Sequence, residues 1–301
     1  MAALAACTGG SPGESVPSTP PAPAPSPSPA SSPATAAVLI GAGDIATCDR
    51  TGDSRTAALL RRSPGTVFTL GDNAYPNGSR RDFARCYGPT WGELRQRTRP
   101  VIGNHEYHTG DAGPYFDYFG AAAGPRGRGY YSYDAGAWHV VVLNSNCTEV
   151  PGGCARGSAQ QRWLRADLAA AARTCTVAMI HAPLFTSAKT HPPATGTRPL
   201  VRTLHEAGVE LLLAGHNHVY ERFAPQTADG RRDPARGVRE FVVGTGGADL
   251  YPFGRAAPNS EVRQNDTLGV LRLTLRAGAY RWDFLPVAGG TFTDSGTGTC
   301  H

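Results

Sequence analysis

Apolar residues fall in short runs, each about a strand long, separated by helical or irregular stretches. Residues 36–43 (AAVLIGAG), 66–71 (TVFTLG), 99–103 (RPVIG), 138–145 (WHVVVLNS), 175–180 (CTVAMI) and 209–215 (VELLLAG) are nearly unbroken in apolar side chains. That pattern predicts strands buried on both faces. Runs at 238–244, 267–276 and 280–287 alternate apolar with polar residues and predict antiparallel strands. Residues 158–172 place Trp163, Leu164 and Leu168 on one helical face, behind a candidate N-cap at Ser158 with Gln161 three residues on. A second helix is predicted over 198–207, closed by Gly208. Together these elements predict the α/β class, a sandwich of mixed sheets flanked by helices.

The N-terminal part of the chain breaks this pattern. Residues 8–36 are Pro, Ser and Ala with almost no large apolar side chains. Such a segment cannot bury enough surface to offset its ordering entropy, so a disordered, extended linker is expected there. Residues 37–301 then form one domain with ample apolar content for a core. Residues 1–7 end in Leu4-Ala5-Ala6-Cys7, which resembles a bacterial lipobox, where the cysteine is lipidated. A signal peptide needs about 7–15 apolar residues behind a basic stretch. Fewer residues than that precede Cys7, so 1–7 are expected to be a signal remnant of a longer leader, with a lipid anchor at Cys7. No run approaches the roughly 20 apolar residues that span a bilayer, so no transmembrane helix is expected.

The formal net charge is +5, and Lys189 is the one lysine. No basic run is dense enough to predict nucleic-acid binding. Apart from Cys7 the cysteines are Cys48, Cys86, Cys147, Cys154, Cys175 and Cys300, an even set that suits disulfides in a secreted or extracytoplasmic protein. Many pairings are open. The expected set is Cys147–Cys154 as a local loop closure, Cys48–Cys86 near the strand ends and Cys175–Cys300 pinning the C-terminus. No CxxC spacing is present, so no structural zinc is expected.

Chemistry gathers where the apolar runs end. The ends carry Gly43-Asp44, Gly71-Asp72-Asn73-Ala74-Tyr75, Gly103-Asn104-His105-Glu106, His181 and Gly215-His216-Asn217-His218. Ligands of α/β sheets gather outside the carboxyl ends of strands, and glycine lets the backbone approach closely there. Residues i and i+2 of an extended segment point the same way, so His216 and His218 are placed to reach two neighbouring metals. One aspartate can bridge two cations about 3.5–4 Å apart, and such a pair can clamp a phosphate. Taken singly, each residue has a plainer role: Asp44 and Asp72 as turn residues, Tyr75 as a loop aromatic, His181 as a core histidine. The joint pattern outweighs those roles. His108, His139, His205 and His301 are read as structural or surface residues. The loop Gly244-Thr245-Gly246-Gly247 lacks a following GK[ST] and is read as a turn near the metals. Tyr107, Tyr115, Phe116, Tyr118 and Phe119 suit either a cleft lining or packing under a loop.

The ordered set GD, GDxxY, GNHE, a lone His and GHxH, from Asp44 to Arg222, resembles the calcineurin-like metallophosphoesterase superfamily. Many members carry histidine where this chain has Ala46. Purple acid phosphatases instead supply a tyrosine three residues after the second aspartate, where Tyr75 stands, and His216–Arg222 is similar to their plant-type GHVHAYER segment. Ala46 departs slightly from their pattern too, since glycine is usual there. The resemblance implies a metallophosphoesterase-type α/β sandwich with a dinuclear site at the carboxyl ends of the strands. It implies one metal held by Asp44, Asp72, Tyr75 and His218 and a second held by Asp72, Asn104, His181 and His216. The cofactors implied are two metal ions, Fe(III) plus Zn, Fe(II) or Mn. His105 and His191 would face the substrate, and a metal-bound hydroxide would hydrolyse a phosphate monoester. A phosphodiesterase of the same superfamily is one alternative, and a non-catalytic cell-surface binding lipoprotein is another.

Overall fold

The run at 36–43 forms β1 (Ala37–Ala42), buried along most of its length because its side chains are apolar in both directions. It lies parallel to β2 (Thr66–Thr69), which lies parallel to β3 (Thr98–Arg99). On its other side β1 pairs antiparallel with β11 (Gly269–Arg276), followed by β12 (Ala279–Pro286) and β13 (Ser295–Thr299). The second sheet has seven strands. Its order is β10 (Ser260–Gln264), β8 (Tyr220–Phe223), β9 (Arg239–Val243), β7 (Leu211–Ala214), β6 (Cys175–Met179), β5 (Trp138–Val142) and β4 (Tyr131–Ala135). Strands β5, β6, β7 and β9 run parallel. These features come from a computed structural model that describes residues 1–10, 13, 36–173 and 175–301.

The core follows from the two-residue period of these strands. Val140, Val142, Val177, Met179, Leu211 and Leu213 pack with Leu39, Ile40, Phe68, Leu271 and Leu273 of the first sheet. The alternate residues Val141, Leu143, Ala178, Ile180, Leu212 and Ala214 pack instead with Leu164, Leu200, Val201 and Leu204 of two helices. A strand apolar in both directions can thus serve a sheet–sheet interface and a helix–sheet interface at once. Those helices are Ala159–Ala170, whose cap Ser158 accepts a hydrogen bond from the Gln161 amide at 3.2 Å, and Arg198–Glu206.

Three expectations change. The 99–103 run forms only the two-residue β3, because its remainder turns into the Gly103-Asn104 loop. The 238–244 run is antiparallel to β8 alone and parallel to β7, since the hairpin-like return through β8 brings β9 back alongside β7. Two further helices form: Gly52–Arg61, whose apolar residues are few, and Gly113–Phe119, which at seven residues is too short for a helical period to stand out.

Cys48–Cys86, Cys147–Cys154 and Cys175–Cys300 are paired as disulfides, and Cys7 is free and exposed. The described residues from 36 to 301 belong to one compact unit. Nearly all of the Pro/Ser-rich stretch 8–36 lies outside the described residues. Among the described residues no helix is long and apolar enough to cross a membrane.

Candidate metal centre

The ends of β1, β2, β6 and β7 converge. The amides of Asp44 and Ile45 donate to the carbonyls of Gly71 and Asp72, and the Gly215 amide donates to the His181 carbonyl. Close approach explains the glycines. A Cβ on Gly71 would lie 2.3 Å from His181 Nδ1, and one on Gly103 would lie 2.1 Å from Asp72 Oδ1. Asp44, Asp72 and His216 themselves have φ of 62°, 48° and 66°. Left-handed backbone in non-glycine residues costs about 1–3 kcal/mol each, and clusters of it occur at functional sites. His216 is therefore not on an extended segment. It and His218 do diverge toward two groups of side chains, but the turn achieves this rather than strand alternation.

In the first group the Tyr75 hydroxyl lies 3.2 Å from Asp44 Oδ1, 3.1 Å from Asp72 Oδ2 and 3.0 Å from His218 Nε2. In the second, His181 Nε2 lies 2.9 Å from Asn104 Oδ1, 3.3 Å from Asp72 Oδ1 and 3.2 Å from His216 Nδ1. Asp72 thus turns one oxygen to each group. Asp44, Asp72, Tyr75, His181 and His218 are buried, while Asn104 and His216 are partly open.

The outer nitrogens of the imidazoles are tied down. His181 Nδ1 donates to the Leu70 carbonyl at 2.7 Å, and His218 Nδ1 donates to the Asp249 carbonyl at 2.7 Å. Each ring, when neutral, therefore turns a lone-pair Nε2 inward, the tautomer a metal ligand needs. Two ring nitrogens face each other 3.2 Å apart, His181 Nε2 and His216 Nδ1. A cation between them satisfies both lone pairs along with Asp72 and Asn104, so the donor set fits a metal. The two rings of the second group differ electrostatically: His181 is held protonated by Asp72 until a cation displaces that proton, while His216 is neutral. Burial pushes His216 down to about 3, to the neutral ligand form. Burial would lower His181 too, but the Asp72 charge overrides it and holds His181 up to about 9. For Asp72, burial raises the pKa and the His181 imidazole more than reverses it, leaving the carboxyl well below its usual range.

His105 and His191 flank the two groups. The His105 ring lies 4.5 Å from Tyr75 by centroid, and its Nδ1 is 2.6 Å from the Pro76 carbonyl. The His191 ring stacks on His216 at 4.3 Å. Asn217 donates its side-chain amide to the His191 carbonyl at 3.3 Å, which ties that loop to the turn.

Two residues without a role in the sequence patterns enter here. Glu106 is fully buried and accepts from the amides of Gly103, Asn73 and Asp72 at 2.7, 2.8 and 3.2 Å. It locks together the two loops that present Asp72 and Asn104. Its place in Gly103-Asn104-His105-Glu106 was the signal. Tyr251 stacks on His218 at 3.9 Å and 11° and lies 5.6 Å from His191. Burial, with Asp44 and Asp72 close by, pushes its phenol up to about 12. No periodicity marks it.

The remaining candidates stay apart. His139 bonds Asp134 and Asp167, and His205 bonds Asp233. His108 is exposed beside His105. Tyr115, Phe116 and Phe119 are buried: Phe119 packs edge-on against Phe83 and Tyr87, and Tyr115 against Phe116 and Phe119, so they belong to the core rather than a cleft lining. The Gly244 turn does border the centre, with a Gly244 Cβ placed 2.8 Å from Asp44 Oδ2.

Two mixed sheets that deliver carboxylates, a phenol, an amide and imidazoles to one rim define an α/β sandwich class suited to a pair of cations. More particularly, the chain belongs to the calcineurin-like phosphoesterase family, whose model matches residues 39–220. Purple acid phosphatase 21 of Arabidopsis thaliana is 31% identical over 231 residues, covering 68% of this chain and 49% of that protein. A probable inactive purple acid phosphatase 9 of the same plant is 27% identical, covering 68% of this chain and 37% of that protein. The chain thus spans about half the length, or less, of these curated relatives. Purple acid phosphatase PPD1 from yellow lupin (Lupinus luteus) seeds shares the fold, with a TM-score of 0.70 at 20% identity over 88% of this chain and 54% of that one.

Proposed function

We propose that the protein is a dinuclear-metal hydrolase of phosphate monoesters, of the purple acid phosphatase kind. The observation that carries this reading is the two-way engagement of Asp72, one oxygen 3.1 Å from the Tyr75 hydroxyl and the other 3.3 Å from His181. One cation would be held by Asp44, Asp72, Tyr75 and His218, the other by Asp72, Asn104, His181 and His216. Two carboxylates and a phenolate favour ferric iron in the first position, and the nitrogen-richer second position suits Zn, Fe(II) or Mn. When bound, the two cations neutralise phosphate charge and make a water acidic enough to attack at neutral pH. The chain's own residues do the rest. Asp72 sets the spacing of the two positions, and Glu106 holds the loops that carry Asp72 and Asn104 in register. His105, with Nδ1 engaged by Pro76, turns Nε2 toward the centre, where it can give a proton to the departing alcohol. His191 stands against His216 and can donate to a phosphate oxygen.

Three disulfides and an exposed Cys7 support an extracytoplasmic protein, with Cys7 as a site of lipid attachment.

Metal analysis of the purified protein, run beside turnover of p-nitrophenyl phosphate and its bis-ester, tests the reading. Two metals per chain with the monoester preferred is the expected result. Preference for the bis-ester would make the protein a phosphodiesterase, and two bound metals with turnover of neither ester would make it a binding protein.

A further inference from the structure

Behind the candidate metal centre one buried acid gathers three segments of the chain. Glu221 stands on β8, just beyond His218 in the sequence, and is fully buried. Its carboxyl accepts from the Ser187 amide at 2.7 Å, from the Ser260 hydroxyl at 2.6 Å and from the Ser187 hydroxyl. Among the described residues it makes no ion pair. A carboxyl buried without a cation is costly and is tolerated where its oxygens are hydrogen-bonded.

Ser187 is itself fully engaged. Its hydroxyl also accepts from the Ala257 amide at 2.8 Å, and its carbonyl accepts from the Gly254 amide at 2.8 Å. Ser187 is thus tied to the segment that offers the Asp249 carbonyl to His218 and stacks Tyr251 on the same ring. His191 follows Ser187 in one loop. Nearer the root of that loop, Glu240 on β9 accepts from the Leu184 amide at 3.0 Å. Toward its tip the Lys189 amide donates to the Pro252 carbonyl at 3.0 Å, and Asn217 donates to the His191 carbonyl at 3.3 Å. The height at which the His191 ring lies over His216, 4.3 Å by centroid, therefore depends on where Ser187 is pinned.

We propose that Glu221, acting through Ser187, is the positioning residue for His191. It holds the loop at the reach from which that imidazole meets a substrate phosphate, and it touches neither substrate nor metal. The inference rests on the phosphohydrolase reading of the centre. Glutamine at this position keeps the shape but puts an NH2 donor where an oxygen accepts, so it cannot serve all three donors.

Calorimetric binding of inorganic phosphate to the metal-loaded full chain, with metal content measured beside it, tests this in a double-mutant cycle. Glu221→Gln and His191→Ala should each weaken phosphate about tenfold with both metals retained. The combined variant should bind no more than about twofold weaker than His191→Ala alone, because Glu221 acts only through His191. Ser187→Ala removes the hydroxyl bridge and little volume. It should weaken phosphate about threefold, lose that effect in the His191→Ala background, and carry the test if Glu221→Gln does not fold. Losses that multiply to about a hundredfold overturn the proposal. So do unchanged affinity in Glu221→Gln, metal loss from it, or unchanged affinity in His191→Ala alone. A wild type that holds both metals and binds no phosphate rejects the phosphohydrolase reading itself, and the role of Glu221 with it.

Discussion

Two buried acids of this fold, Asp72 and Glu240, respond oppositely to burial because their neighbours differ. At the carboxyl ends of the strands Asp72 is surrounded by imidazoles, and its carboxyl stays ionised although it is buried. Away from that rim Glu240 is buried with only the amides of Leu184 and Phe185 to bond, and its Oε2 has no partner. Burial pushes Glu240 up to about 8. Glu210, at the opening of β7, has an unpartnered Oε1 and is raised by burial to about 7. Desolvation disfavours the charged form in both settings, and the neighbours decide the outcome. An anionic pocket faced by inward lone pairs attracts cations, whereas a lone buried acid attracts a proton.

The largest break in that contrast is Asp72→Ala. One carboxylate serves both groups of donors, so activity should fall at least about a thousandfold and metal should be lost from both positions. Element analysis beside a phosphatase assay checks both, and full activity in the variant would remove the bridging role. Next comes His105→Ala, expected to lower turnover about a hundredfold with metal content unchanged. Metal loss in that variant would move His105 into the ligand set. A smaller change is expected for Tyr75→Phe, which removes one hydroxyl. Ferric phenolate absorbs visible light, so iron-loaded wild type should be pink to purple and the variant bleached, with metal affinity lowered about tenfold. A colourless, fully iron-loaded wild type would show that Tyr75 is not a ligand.

The smallest effect belongs to the other setting. Glu240 has a folded pKa raised from 4.5 to about 8. Its contribution to stability is full below the unfolded value and is lost as pH rises through the folded one. Wild type should therefore lose stability between about pH 4.5 and 8 in a way that Glu240→Gln, which cannot ionise, does not. The melting temperature of wild type relative to Glu240→Gln should fall by at least about 3 °C from pH 5 to pH 8. A constant difference at both pH values would mean that Glu240 is already charged in the fold.

The candidate site residues were more legible than the elements around them. Asp44, Asp72, Asn104, His181 and His216 each follow an apolar run, and all but His181 have a glycine just before them, a pattern that leaves few other roles for those residues. Short strands such as β8 and β13 were not legible. Their sequences, YERF and SGTGT, carry no apolar period, and pairing with neighbours already in place makes them strands. Tyr251 was invisible for a related reason, since its role lies in stacking on a histidine 33 residues away in the chain (251 less 218).

By itself the sequence determined which strands are buried on both faces, the disulfide-bearing character of the domain and the residue types at the rim. These follow from local composition, which sets how each segment must be buried and which atoms it can offer. Only the tertiary structure decided that Asp72 divides its two oxygens between separate clusters, that Glu106 binds two loops through their amides, and that Tyr251 stacks on His218. Each of these depends on distances between segments remote in sequence. Such distances are set by how two sheets pack, and no single segment encodes them.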